Sequence, residues 1–212
     1  MMRELTLDTF RQMLRHALAR ICERQEEFSQ LDATLGDGDH GTAMVTAMNA
    51  AVEAAEKGVE FKTMLNDMGF NVMLQTSGST STLLGAFFLG MGDRISGTTI
   101  DIVDVRAMFI NGLKNVRTQT KAQKGDKTMM DALIPAVEEM ERFRYGEIED
   151  MLDLAAQAAR KGAEKTVDMK AAFGRARNYG DRSIGTADPG ATSWACMLSA
   201  FAEKYREMKS KE

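Results

Sequence analysis

Leu83-Leu84-Gly85-Ala86-Phe87-Phe88-Leu89-Gly90-Met91 is the stretch that decides the fold. Read as a helix, it is apolar on nearly every side. A helix with no solvent face belongs in the middle of a helical bundle. The segments on either side agree, because their apolar residues recur every three to four positions and do not alternate. Before it, Phe61, Met64, Leu65, Met68 and Val72 mark one helix, and another runs from about Thr42 to Lys57, stopped by Gly58. The first segment carries Phe10, Met13, Leu14, Ala17, Leu18 and Ile21 on one stripe, which Phe28 and Leu31 continue. His16 lies off that stripe and reads as a solvated residue.

After the break at Ser96-Gly97-Thr98-Thr99, Asp101 is placed to cap a helix bearing Val105, Met108, Phe109, Leu113 and Val116. The next carries Met130, Leu133, Ile134, Val137 and Met140, with Pro135 expected to kink it. A seventh begins near Glu147 with Met151, Leu152 and Ala155. A polar loop from Gly174 to Gly190 leads into a last helix with Trp194, Met197, Leu198, Phe201 and Tyr205. The expectation is an all-α, single-domain barrel or bundle of eight antiparallel up-and-down helices covering residues 1–212. Its 212 residues suffice for one substantial core.

The overall properties narrow the function. The 27 basic and 31 acidic residues leave a net charge of −4, with no basic footprint for nucleic acid. No apolar run is long enough to span a membrane, and the first residues lack a signal-peptide core. Cys22 and Cys196 are too few for a disulfide framework, and two buried thiols in a reducing cytosol are expected. A soluble cytoplasmic protein follows.

The chemistry concentrates in Gly36-Asp37-Gly38-Asp39-His40-Gly41, read with Asp32 just before it. Three carboxylates interleaved with glycine repel one another unless a cation lies between them, and hard divalent cations take such oxygen ligands. A helix begins directly afterwards, and free N–H groups at a helix start beside a divalent cation suit phosphate. An acidic surface turn with a helix cap would explain one of the aspartates more easily than three. An EF-hand is excluded, since the chain reads Met48-Asn49 where a Glu would be needed.

Helix counting adds a second argument. If consecutive helices run up and down, every second connection opens at the same end. The Asp loop, Thr76-Ser77-Gly78-Ser79-Thr80-Ser81-Thr82, Gly125-Asp126-Lys127-Thr128, and the loop with Gly174-Arg175 and Asp188-Pro189-Gly190 all share that parity. Taken singly, each has a plainer account. The Ser/Thr run suits a helix cap as well as a phosphate cradle, Lys127 reads as a solvated lysine, and Asp126 as a cap. Lys127 is no P-loop lysine, because the required glycine spacing is missing.

These residues carry a resemblance. Leu31-Asp32-Ala33-Thr34-Leu35-Gly36-Asp37-Gly38-Asp39-His40-Gly41, Gly125-Asp126-Lys127-Thr128-Met129 and Arg182-Ser183-Ile184-Gly185 with Asp188-Pro189-Gly190-Ala191-Thr192-Ser193 resemble the DhaL family over essentially the whole chain. This family is the nucleotide-binding subunit or domain of dihydroxyacetone kinases. The resemblance implies a barrel of eight antiparallel helices with ADP or ATP at one end. It implies that Asp32, Asp37 and Asp39 hold two Mg2+ ions on the nucleotide phosphates. His40, Gly41, Thr42 and Ala43 then line the nucleotide, Ser79 and Thr80 its phosphates, and Thr120 and Met129 its nucleoside. Arg175 and Asp188-Pro189-Gly190 close the site.

By the same resemblance the ketose sits on a separate DhaK-type partner. The phosphoryl source is either ATP or a phosphotransferase-system protein that rephosphorylates a resident ADP. No residue reads as a covalent phosphate carrier. One departure stands out: the family turn Gly-Gly-(Ala/Thr)-Ser-Gly-Pro-Leu is Ser77-Gly78-Ser79-Thr80-Ser81-Thr82-Leu83 here, which leaves another small ketose open as the acceptor. Two other readings are kept: a fatty-acid-kinase-like nucleotide domain, whose loop carries Thr at the place of His40, and a nucleotide-bound protein that binds a regulator without catalysis.

Overall fold

The computed structural model describes residues 4–75 and 78–211. Among them nine α-helices form: α1 (Leu7–Glu23), α2 (Gln25–Leu35), α3 (His40–Lys57), α4 (Phe61–Gln75), α5 (Ser79–Met91), α6 (Ile102–Gln119), α7 (Met130–Arg142), α8 (Ile148–Lys165) and α9 (Pro189–Lys209). The all-α class holds. The count differs from the expected eight because the first predicted segment divides at Arg24, whose N–H still reaches the Ile21 and Cys22 carbonyls while its ψ of 12° ends the helix. Its guanidinium then lies over the Phe28 ring and pairs with Glu27, which anchors the new helix as Phe28 enters the core.

The deciding stretch lies where its composition demands. Leu84, Ala86, Phe87, Phe88 and Met91 of α5 have no measurable exposure. The helix packs between α4 and α6, and both neighbours approach closely through glycine. A Cβ at Gly85 would fall 2.8 Å from the Gly69 carbonyl, and one at Gly90 2.5 Å from the Asn111 carbonyl. The Phe87 ring meets Trp194 of α9 edge-on at 5.1 Å and Phe109 of α6 at 5.9 Å. Burying each such ring stabilises the fold by about 1.5–3 kcal/mol. One continuous apolar cluster joins α1 and α3–α9, with Phe28 bringing in α2.

Caps set the ends. Asp101 accepts from the N–H groups of Val103 and Asp104, as its position before an apolar stripe predicts. Thr6 caps α1 through the Thr9 N–H. Two short antiparallel strands, β1 (Leu5–Thr6) and β2 (Thr99–Ile100), close the end of the bundle away from the Asp loop; the sequence reads that region only as a break. α7 runs on through Pro135 to Arg142. Cys196 is buried as expected, but Cys22 is exposed because α1 turns it away from the stripe. His16 is off the stripe and bonds Glu203 of α9.

The connections at the far end are α3–α4, α5–α6 and α7–α8. Those at the near end are α2–α3, α4–α5, α6–α7 and α8–α9, so α3, α5, α7 and α9 all begin there. Helix counting predicts this gathering. The split at Arg24 leaves the parity intact, because it adds a bend with no reversal that reaches the loops.

Candidate functional site

The near-end loops enclose about 420 Å³. Lining this cavity are Asp32, Asp37, Asp39, His40 and Ala43 from the first loop and helix start, and Gly78, Ser79, Thr80 and Leu83 from α5. Thr120, Lys127, Thr128 and Met129 come from the third connection, and Phe173–Ala176 with Asp188, Pro189, Gly190 and Trp194 from the fourth. The volume falls within the range of ligand sites, about 300–1,000 Å³.

The acidic loop is built around Asp32. Its Oδ2 accepts the N–H groups of Gly38 at 2.9 Å, Asp39 at 3.1 Å and His40 at 3.4 Å, so a carboxylate from α2 caps the start of α3. Gly36 is required beside it, since a Cβ there would stand 2.3 Å from Asp32 Oδ1. Gly38 has φ +78°, the left-handed region that glycine enters freely. The turn brings carboxylate oxygens of Asp32, Asp37 and Asp39 within 4.8 Å of one another. An all-oxygen donor set of this kind fits a hard divalent cation. The Arg175 guanidinium pairs with Asp37 and holds its carboxyl below the usual range.

His40 is half-buried, with Nε2 2.8 Å from Ser193 Oγ and Nδ1 3.3 Å from Thr80 Oγ1. Desolvation by burial lowers its pKa and favours the neutral ring. Both ring nitrogens are occupied, so His40 orients α5 and α9 across the cavity mouth. At α5, Ser81 and Thr82 turn their hydroxyls back to the Gly78 carbonyl, and no side chain among the described residues caps the helix. Gly78, Ser79 and Thr80 line the cavity at this helix start, where first-turn N–H groups are left without intrahelical partners, as an anion site requires. Thr76 and Ser77 of this connection lie outside the described residues.

Two of the plainer accounts fail in the third connection. Lys127 is 1% exposed and so is no solvated lysine; its Nζ donates to the Thr166 carbonyl at 2.7 Å and to that of Thr186. Burial lowers its pKa, with Asp188 and Asp168 opposing. Nor does Asp126 cap α7: its Oδ2 takes the Gln123 N–H, while buried Asp131 takes those of Gly125 and Thr128. Asp188 caps α9 through the Ala191 N–H; although the residue is only half-buried, its carboxyl is enclosed, and desolvation pushes it up to about 7.

Most predicted site residues come together here, with two exceptions. Gly41 does not line the cavity; a Cβ there would fall 2.1 Å from the Gln25 carbonyl, so its lack of one lets α3 sit against α2. Thr42 is exposed and accepts from Gln25 on the same side. Leu83, Phe173 and Trp194 line the cavity without having been singled out, because an apolar wall looks like core in a sequence.

Fold and site together define a class: an antiparallel helical bundle in which carboxylates and helix N-termini meet at one open end. Within it the chain belongs to the DAK2-domain family, whose model matches residues 34–203. It is 31% identical over 214 residues to the PEP-dependent dihydroxyacetone kinase 2, ADP-binding subunit DhaL of Listeria innocua, covering 97% of this chain and 99% of that one. Identity to the PEP-dependent dihydroxyacetone kinase, ADP-binding subunit DhaL of Escherichia coli is 32% over 189 residues, 86% of this chain and 89% of the other. The D-erythrulose kinase of Mycolicibacterium smegmatis is 35% identical over 191 residues, yet the chain spans only 33% of that longer protein. The crystal structure of the dihydroxyacetone kinase of C. freundii matches with a TM-score of 0.70 at 25% identity, over 90% of this chain and 33% of that one.

Proposed function

We propose that residues 1–212 form the nucleotide-binding subunit of a two-component kinase. It would act in the cytosol and move a phosphoryl group from Mg-bound nucleotide to dihydroxyacetone, or a related small ketose, on a DhaK-type partner. The observation that carries this reading is the convergence of four helix starts and the Asp32, Asp37, Asp39 cluster on one cavity. Helix N-termini supply N–H donors and positive potential where phosphates need them.

In this reading Asp32 Oδ1, Asp37 and Asp39 hold two Mg2+, which when bound neutralise charge on the phosphates. The first turns of α3 and α5 (His40, Ala43, Ser79 and Thr80) take the phosphates. Thr120, Met129, Leu83 and Phe173 hold the nucleoside, and Arg175 with Asp188-Pro189-Gly190 closes the site. Gly41 and Thr42 contribute through their backbone in the first turn of α3, while the missing side chain of Gly41 lets α3 sit against α2. Occupied on both nitrogens, His40 positions and does not carry phosphate. The relatives named PEP-dependent or PTS-dependent favour a resident ADP rephosphorylated by a phosphotransferase-system protein over free ATP. The fatty-acid-kinase and regulator readings are not favoured, since the relatives bear ketose-kinase names.

The purified chain should not phosphorylate dihydroxyacetone or erythrulose alone, and activity should appear when a DhaK-type subunit and a phosphoryl source are added. Turnover by the pure chain would overturn the split-kinase reading.

A further inference from the structure

Lys127 is the buried charge that the phosphoryl-transfer reading leaves without a task. Its ammonium reaches the carbonyls of Thr166 and Thr186, which are the two ends of one excursion of the chain between α8 and α9. The ends are also joined to each other, Gly185 N–H to the Val167 carbonyl at 2.8 Å and Asp188 N–H to Thr166 Oγ1 at 2.9 Å. They form the stem of one long loop. That loop carries Arg175 and delivers Asp188, Pro189 and Gly190 to the cavity. Lys127 itself stands in the opposite wall, between the Asp131-organised turn and the lining residues Thr128 and Met129.

We propose that Lys127 is a positioning residue: it clamps the stem of the 166–186 loop to the wall at Met129 and so fixes the width of the cavity between them. Three observations meet here. A lysine buried to 1% is held by two carbonyls, not by a carboxylate partner, so its geometry is directional. Its backbone sits at φ +59°, a conformation costly for a residue with a Cβ. An Asn or Gly would fill the turn at less cost, so the side chain is the reason for a lysine there. Finally, among the described residues few other hydrogen bonds cross between the walls; the Ala172 N–H to Asp126 carbonyl bond, at 3.1 Å, reaches the loop beyond its stem. Without the clamp the stem can shift against Met129 while each wall stays internally bonded.

The inference rests on the nucleotide reading, and the test separates the two. Lys127→Met keeps the aliphatic length and removes the donors. Hydrogen exchange in the absence of nucleotide should quicken in residues 166–188 and stay unchanged in α1, α3 and α4. Charge-assisted bonds of this kind correspond to roughly tenfold in an equilibrium constant, and Mg-ADP affinity, measured by calorimetry, should fall by about that factor. Lys127→Asn, which tolerates the left-handed turn but is too short to reach the carbonyls, should behave the same way, and it serves if the Met variant misfolds. Unchanged exchange at 166–188 in a folded variant overturns the clamp, whether or not nucleotide binds. Local exchange that quickens while Mg-ADP affinity holds overturns the positioning role. If wild-type protein ignores Mg-ADP, the nucleotide reading fails and the exchange result alone decides the clamp.

Discussion

Asp188 shows how one residue answers to two demands. As the cap of α9 it is best ionised, because its oxygen accepts the Ala191 N–H. Enclosure opposes this, with Asp131 and Asp32 adding like charge, and the carboxyl is raised from 3.8 to about 7. The sign follows from linkage. Between those two values the folded protein holds a proton that the unfolded chain has released, so stability falls as pH rises from about 4 to 7 and is level above. The whole effect is at most a few kcal/mol, since each tenfold change in proton affinity corresponds to about 1.4 kcal/mol. Asn is as good a cap and does not titrate. Melting curves of Asp188→Asn should therefore lack this part of the decline between pH 4.5 and 7.5. Parallel curves for variant and wild type would show that the carboxyl is not enclosed in solution. Asp37 behaves oppositely: paired with Arg175, it favours the fold above its depressed pKa and loses that contribution in acid.

At the scale of elements, the bundle depends on a few close approaches. The tightest joins α7 and α8. Pro135 has no N–H for the Asp131 carbonyl, four residues earlier in the helix, and α8 comes against that carbonyl through Gly162, where a Cβ would fall 1.8 Å from the oxygen. Ala is the better helix former by about 1 kcal/mol, but it cannot be seated without separating the helices. Gly162→Ala should destabilise by about 1–3 kcal/mol net, a fall in Tm of about 2–4 °C per kcal/mol in a chain of this size. A stabilised variant would mean that the helices stand farther apart.

Legibility in the sequence tracked how local each cause was. The cap at Asp101, the stop at Gly58 and the all-round apolar α5 depend on neighbours in the chain, and all three could be read. The break at Arg24 could not, because it has neither Gly nor Pro and rests on the fit of Phe28 into the core. The packing constraint on Gly41 was not legible, since its contact with Gln25 of α2 lies across the loop. Lys127 read as solvated because its partners, Thr166 and Thr186, lie far along the chain. The 166–188 connection likewise read as bare polar loop; it contains 3-10 turns at Thr166–Asp168 and Arg175–Ser183, the second of which starts after Gly174 and bends at Gly180, both at positive φ.

For the whole molecule, up-and-down topology is what turns separate weak motifs into one site. A helix start, an acidic turn or a hydroxyl-rich loop is common on any protein surface. Parity brings four helix starts to one end, and the α5 core holds them in place, so phosphate-binding potential gathers where the carboxylates are. The far end, with β1, β2 and the C-terminus of α3 held by Arg11 at Ala55, serves to keep the bundle closed. The central claim is that the near end binds a nucleotide through a divalent cation held by Asp32, Asp37 and Asp39. The direct measurement is calorimetric titration of ADP with Mg2+, with EDTA, and into Asp37→Asn, with circular dichroism to confirm the fold. The account predicts saturable binding with Mg2+, and loss of at least about tenfold in affinity both in EDTA and in the still-helical variant. ADP affinity that is the same in all three would contradict it.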